Sequence, residues 1–184
     1  MSKKVLIFSA PSGSGKTTVV KHLIEKHPCL EFSISATSRA PRGAEQHGKD
    51  YYFLSEKEFL DKVKAGDFVE YEQVYAGSYY GTLKSELDRI WSKGHIILFD
   101  VDVKGGINLK KYFGNDALSV FIQAPSIAEL RIRLEKRGTD SPEAIEKRIA
   151  KAEEELKYAE QFDIILINDN LETCLKEAEH LPIA

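Results

Sequence analysis

Residues 10–17 constrain this chain more than any other feature. They read A-P-S-G-S-G-K-T, between an apolar run, Lys4 to Ser9, and a segment, Thr17 to His27, whose Val19, Val20, Leu23 and Ile24 recur at helical spacing. The order is strand, turn, helix. Gly13 and Gly15 let such a turn aim its backbone N–H groups inward, because glycine accepts positive φ and carries no Cβ to crowd an anion. The helix start adds the positive end of its dipole, so the segment predicts a phosphate-binding loop. Lys16 would then reach the β and γ phosphates of a nucleotide, and the Thr17 hydroxyl would ligate Mg²⁺. The pattern G-x-x-x-x-G-K-[ST] is met except at its first position, Ala10, which is small enough to leave the strand exit uncrowded.

The remaining segments suit an α/β fold around that loop. His95 to Val101, Leu118 to Gln123 and Asp163 to Asn168 are rich in Ile, Leu, Val and Phe without polar alternation, and they predict buried strands of a parallel sheet. Helical patterns follow at Lys104 to Tyr112, Ser126 to Arg137, Pro142 to Glu160 and Leu171 to His180, the alternation of a doubly wound fold with right-handed crossovers. Phe32 to Gly81 breaks the rhythm. Its Gly and Pro punctuation, a short helix at Ser55 to Ala65 and strand-like pieces at Tyr51 to Leu54 and Phe68 to Tyr75 predict an inserted lobe. Gly138 to Ser141, an irregular patch beside arginines between two charged helices, predicts a mobile lid. The expected organisation is a single domain with its core at 1–32, 83–125 and 162–184, the lobe at 33–82 and the lid region at 126–161.

Composition excludes several classes of function. Twenty-six Lys and Arg against 29 Asp and Glu leave a formal charge of -3, which gives the whole molecule no electrostatic case for nucleic acid or anionic lipid. No aliphatic or aromatic run exceeds four residues, so no membrane span is expected. The chain opens Met1-Ser2-Lys3-Lys4 and enters a strand-like segment at once, which predicts a cytoplasmic protein. Cys29 and Cys174 are too few for a disulfide framework and are expected to be inert thiols. The five histidines, His22, His27, His47, His95 and His180, have neither metal-ligand spacing nor an evident partner. One strand ends Phe99-Asp100-Val101-Asp102, and an acid at the end of a strand beside such a loop can meet a metal or a substrate, or can cap the next helix.

The loop alone does not separate a GTPase, a motor and a small-molecule kinase. The lobe carries S-x-T-S-R-A-P-R at Ser35 to Arg42, G-K-D-Y-Y-F at Gly48 to Phe53, V-E-Y at Val69 to Tyr71 and Y-Y-G-T at Tyr79 to Thr82. With these motifs in order along essentially its whole length, the chain resembles the guanylate kinases, which pass a phosphoryl group from ATP to GMP. The resemblance implies a P-loop, doubly wound parallel sheet with an inserted GMP-binding lobe and a lid. It implies ATP and GMP as substrates, possibly dGMP, with Mg²⁺ accompanying ATP.

By that resemblance Arg39 and Arg42, with the hydroxyls of Tyr51 and Tyr80, match the clamp on the GMP phosphate. Two guanidinium forks suit a dianion better than lysines would. Ser35, Glu70, Thr82 and Asp102 match the positions that read guanine, whose adjacent ring N–H and amine call for a carboxylate acceptor. Family members commonly have Ser where Thr82 stands. Arg133, Arg137 and Arg148 match lid arginines that close over the ATP phosphates, while Arg131 could equally be a solvated residue paired with Glu135. The ATP site would comprise Ala10, Pro11, Ser12, Gly13, Ser14, Gly15, Lys16, Thr17 and Thr18, with Asn168 touching adenine. Lys16, Arg39, Arg133, Arg137 and Arg148 would carry the transfer, and Thr17 and Asp100 would face the metal. Another P-loop kinase, or a scaffolding module that uses the same lobe to hold phosphorylated peptides, are the alternatives; a GTPase switch would want an N-K-x-D type guanine loop, and none is recognisable.

Overall fold

The computed structural model describes residues 4–183, so Met1 to Lys3 of the opening segment, and Ala184, lie outside it. β1 (Val5–Ser9) is buried along its whole length, as an uninterrupted aliphatic strand must be if both of its faces are covered. It is followed by α1 (Lys16–Lys26), then β2 (Leu30–Phe32), β3 (Ala36–Thr37), β4 (Tyr52–Phe53), α2 (Glu56–Ala65), β5 (Phe68–Tyr75), β6 (Ser78–Leu83) and α3 (Lys84–Trp91). The chain continues through β7 (Ile96–Asp100), α4 (Val103–Phe113), β8 (Ala117–Gln123), α5 (Ile127–Arg137), α6 (Pro142–Leu156), β9 (Ile164–Ile167) and α7 (Leu171–Glu179).

One sheet has the strand order β2-β7-β1-β8-β9. β8 runs parallel to β1, with Val5 opposite Ala117, and β9 runs parallel to β8, with Val120 opposite Ile164. Later strands lie on both sides of β1, so the loop that leaves its carboxyl end stands at the switch point where open α/β sheets bind ligands. α4 begins where Asp102 Oδ1 accepts from Gly105 N–H at 2.7 Å. A Cβ on Gly106 would lie 2.3 Å from Ser9 Oγ, so only glycine lets this helix approach β1 so closely. α5 and α6 pack on one another through Leu130, Leu134, Ile145 and Ile149, capped at their starts by Ser126 and Ser141.

The second sheet has the order β4-β3-β6-β5. β3 is parallel to β4 and antiparallel to β6, and β5 pairs antiparallel with β6. Its core is Ala36, Phe59, Phe68 and Leu83, with Phe59 stacked 4.4 Å from Phe68 and 5.4 Å from Tyr79. The chain divides into two compact units, one running through Leu30 and resuming at Leu98, the other spanning Glu31–Ile97, so α3 goes with the second.

Four elements were not expected: β2, β3, β6 and α3. The helix expected over Pro142 to Glu160 ends at Leu156 and is followed by a single 3-10 turn at Ala159–Gln161. Among the described residues no helix is long and apolar enough to cross a membrane.

Candidate functional site

In the first unit the turn after β1 is shaped by two glycines in the left-handed region, Gly13 at φ +89° and Gly15 at φ +91°. Neither position tolerates a side chain. A Cβ on Gly13 would fall 2.9 Å from Leu134 Cδ2, and one on Gly15 would fall 2.2 Å from Asn168 Nδ2. Asn168, buried at the end of β9, donates its amide to the Ser14 carbonyl at 2.9 Å and so latches the loop from below. The Nδ2 of Asn168, expected to touch adenine, is thus engaged by the loop. Ser14 Oγ is buried without a hydrogen-bond partner, and an orphaned hydroxyl inside a glycine cradle fits an incoming phosphate oxygen.

Ala10 to Thr18 line a cavity of about 730 Å³ together with Asp100, Val101, Asp102, Arg137, Arg148, Lys151 and Glu155. Lys16 Nζ lies 2.5 Å from Asp100 Oδ1 and donates to the Val101 carbonyl at 2.9 Å. The lysine is therefore held across the floor of the cavity, ready to be recruited by a stronger anion. Thr17 and Asp100 supply hard oxygen donors. Among the described residues no group of three or more His, Cys, Asp or Glu side chains could hold a metal ion.

Of the three arginines expected to form a lid, Arg137 and Arg148 line the cavity. Arg148 donates to Ser12 Oγ at 2.7 Å and is oriented by Asp140, Nε to Oδ2, at 3.2 Å. Arg133 turns elsewhere, to Glu129 at 2.9 Å and to the Asp169 carbonyl at 3.3 Å. Arg131 is bound to Glu146 on α6 and not to Glu135 as its i,i+4 spacing suggested, because helix-to-helix packing brings an opposite charge nearer than the helix itself does. Lys151 and Glu155 were missed, although with Arg148 they stand at i, i+3 and i+7, one face of α6. Burial raises the Glu155 carboxyl above its usual range, Lys151 only partly offsetting it.

The second unit gathers the lobe residues. Arg39 forms a two-pronged pair with Glu45, Nη1 to Oε2 at 2.7 Å and Nη2 to Oε1 at 2.8 Å, while its Nε donates to the Tyr80 hydroxyl at 3.0 Å. Its guanidinium carbon lies 4.9 Å from the centre of the Tyr51 ring, and the Tyr51 and Tyr80 rings meet edge to face at 6.1 Å. Arg39, and after it the Arg42 backbone N–H, holds the Glu45 carboxyl down at about 2. The Arg42 side chain is exposed. Glu70 and Thr82 face each other across β5 and β6, and Thr82 Oγ1 donates to Glu70 Oε1 at 2.8 Å. Gly81 between Tyr80 and Thr82 cannot be replaced without a clash, since a Cβ there would stand 2.6 Å from the Glu70 carbonyl. Ser35 is half-buried and its carbonyl accepts from Tyr52 N–H at 2.9 Å.

His27 Nε2 is buried without a hydrogen-bond partner, whereas the other four histidines have partners. His22 meets Glu179 at 2.6 Å, His95 meets Glu31 at 2.9 Å, and His47 accepts from Phe53 N–H at 3.1 Å. His180 donates from Nδ1 to the Lys176 carbonyl at 2.7 Å. These partners lie one element or more away for the first two, out of reach of spacing rules.

The family model described as guanylate kinase matches residues 2–181. The chain belongs to the guanylate kinase family. It is 54% identical over 177 residues to the guanylate kinase of Bacteroides thetaiotaomicron, a match covering 96% of this chain and 87% of that one. It is 55% identical over 175 residues to the guanylate kinase of Porphyromonas gingivalis, covering 95% and 93% of the two chains. The crystal structure of guanylate kinase from Anaplasma phagocytophilum superposes with a TM-score of 0.70 at 29% identity, over 98% of this chain and 85% of that one. A shikimate kinase from Bacteroides thetaiotaomicron shares the fold at a TM-score of 0.51 and 14% identity, covering 95% of this chain and 93% of its own. A guanylate kinase is an ATP:GMP phosphotransferase.

Proposed function

We infer that this chain carries out reversible transfer of the γ-phosphoryl group of ATP to GMP, giving ADP and GDP, with Ala10 to Thr18 holding the ATP phosphates and Arg39, Arg42, Tyr51 and Tyr80 holding the phosphate of GMP. The observation that carries the acceptor half is the Arg39 arrangement. Tyr80 orients the guanidinium from one side, and its fork already holds an anion, the Glu45 carboxylate, which the phosphate of GMP would replace there.

The reaction needs no protein nucleophile. A GMP phosphate oxygen, whose second pKa is about 6, is already largely ionised at neutral pH. It attacks the γ phosphorus, the bond from that phosphorus to the β–γ bridging oxygen breaks, and the electron pair leaves with ADP. Two polyanions must be brought together for this, so the work of the protein is positioning and charge neutralisation. Lys16 moves its charge from Asp100 to the phosphates, and Arg137 and Arg148 add theirs from the lid. Arg133 would join them only by leaving Glu129. Thr17 and Asp100 are the residues that would hold a Mg²⁺ accompanying ATP, which would supply further positive charge to the phosphates.

Glu70, with Ser35, Thr82 and Asp102, would read guanine. In this reading the Thr82 to Glu70 hydrogen bond leaves a carboxylate whose acceptor is aimed before the base arrives, and Asp102 keeps its second oxygen while the first caps α4. Purine nucleotide metabolism and GMP recycling, with dGMP as a further substrate, are the setting such an activity serves. The cytoplasm, where ATP and GMP are abundant, is the corresponding compartment, and two free cysteines suit its reducing conditions.

Arg39→Ala tests the assignment. The KM for GMP should rise by roughly ten- to a hundredfold while that for ATP stays near wild type, since only the acceptor clamp loses its charge. Equal rises for both nucleotides would show that the lobe does not hold the acceptor.

A further inference from the structure

Ser35 and Tyr51 stand on short pieces of chain that local structure does little to fix, for β3 and β4 are two residues each. A buried carboxylate holds them. The Glu86 side chain, on α3, has no exposed surface. Its Oε1 accepts from the Ile34 backbone N–H at 2.8 Å and from Arg89 Nη2 at 2.7 Å. Its Oε2 accepts from the Tyr52 hydroxyl at 2.7 Å and from Arg89 Nε at 2.8 Å. Ile34 immediately precedes Ser35, and Tyr52 immediately follows Tyr51. Arg89 is itself anchored to Glu31 at 2.5 Å, and Glu31 also takes Lys93 at 2.9 Å.

We propose that Glu86 is a positioning residue for the acceptor nucleotide, which through Ile34 and Tyr52 sets the placement of Ser35 and Tyr51 and so the affinity for GMP, without touching GMP itself. This rests on the reading of Ser35 and Tyr51 as acceptor-site groups. Four directional hydrogen bonds to one desolvated carboxylate fix angles as well as distances, which the apolar packing of Phe59, Phe68 and Leu83 does not do. An error of about 1 Å in a substrate-positioning group can cost a factor of about a hundred, so a carboxylate tying two clamp segments together has room to matter.

Tyr52→Phe removes one donor and keeps the ring, and Glu86→Gln keeps the volume while replacing one acceptor oxygen by an amide that faces donors. Phe59→Leu serves as the control, because it weakens the core of the same lobe without touching the carboxylate. KM for GMP, KM for ATP, kcat and melting temperature are measured on all three and on Arg39→Ala. Tyr52→Phe should raise the KM for GMP about three- to tenfold and Glu86→Gln roughly ten- to a hundredfold, with the KM for ATP within about twofold of wild type. Phe59→Leu should lower the melting temperature and leave the ratio of the two KM values alone. Should Glu86→Gln fail to fold, Tyr52→Phe carries the test. The proposal is overturned if the folded variants melt earlier but keep the wild-type KM for GMP, or if both KM values rise together. If Arg39→Ala also spares GMP, the acceptor-site reading is what fails; an Arg39→Ala effect with none at Tyr52 and Glu86 sinks the positioning role alone.

Discussion

Glu70 is an ordinary acid by every local measure, a half-buried residue on a strand, and what distinguishes it is the Thr82 hydroxyl donated to it from across the sheet. If its carboxylate accepts both guanine donors, Glu70→Gln sets an amide N–H₂ against one of them. A hydrogen bond to a charged group contributes about 1.5 to 3 kcal/mol, so kcat/KM for GMP should fall by roughly ten- to a few hundredfold. AMP, whose ring nitrogen accepts, should lose less, and the GMP to AMP preference should shrink. Specificity constants for both nucleotides in both proteins check this, and an unchanged ratio would pass base recognition to Ser35, Thr82 and Asp102. At this scale the sequence was readable where chemistry and letters coincide. Gly13, Gly15, Lys16 and Thr17 announce a phosphate cradle because no other common motif needs two glycines, a lysine and a hydroxyl in that order. Glu45 and Asp140 were unreadable because an acid acquires its role from the cation opposite it, and Arg39 and Arg148 lie outside helical spacing from them, whereas Glu86 and Glu155 had helical partners in Arg89 and Lys151 and were missed.

The central strands declared themselves, since β1, β7 and β8 are rich in Ile, Leu, Val and Phe without polar alternation. β2, β3 and β6 did not. Two of these are three residues or shorter, and β6 reads Ser-Tyr-Tyr-Gly-Thr-Leu, where the glycine signals a turn by propensity but is needed for close approach to Glu70. α3 starts after Leu83 with no capping side chain, so nothing in its first residues marks a helix. β2 also carries a titration that can be measured. Burial alone would raise the Glu31 carboxyl, but hydrogen bonds from Lys93, Arg89 and His95 outweigh it and hold the group at about 2, down from 4.5. A carboxyl depressed in the folded state stabilises fully above its unfolded pKa and loses that contribution as pH falls through its folded value. Denaturant titrations should therefore find Glu31→Gln less stable than wild type above about pH 5, with the gap closing as pH falls from 4.5 toward 2. A gap that stays constant with pH would show that the charge of Glu31 contributes nothing.

Under the proposed function the two nucleotides go to different architectures: a glycine loop at the switch point of a parallel sheet for ATP, and a small mixed sheet with an arginine fork for GMP. Sequence patterning gave four strands of the first, β1, β7, β8 and β9, and its loop, but neither β2 nor the strand order. The second became readable only through resemblance, since short irregular strands leave no periodicity to follow. The measurement that tests the account most directly is ADP release by the wild-type protein with ATP, Mg²⁺ and a panel of GMP, dGMP, AMP, CMP and UMP at matched concentrations. GMP should support turnover with a kcat/KM at least about a hundredfold above that for AMP, CMP or UMP, because in the proposed reading only guanine offers the Glu70 carboxylate a ring N–H and an amine side by side. Comparable turnover with AMP or a pyrimidine nucleotide would contradict it.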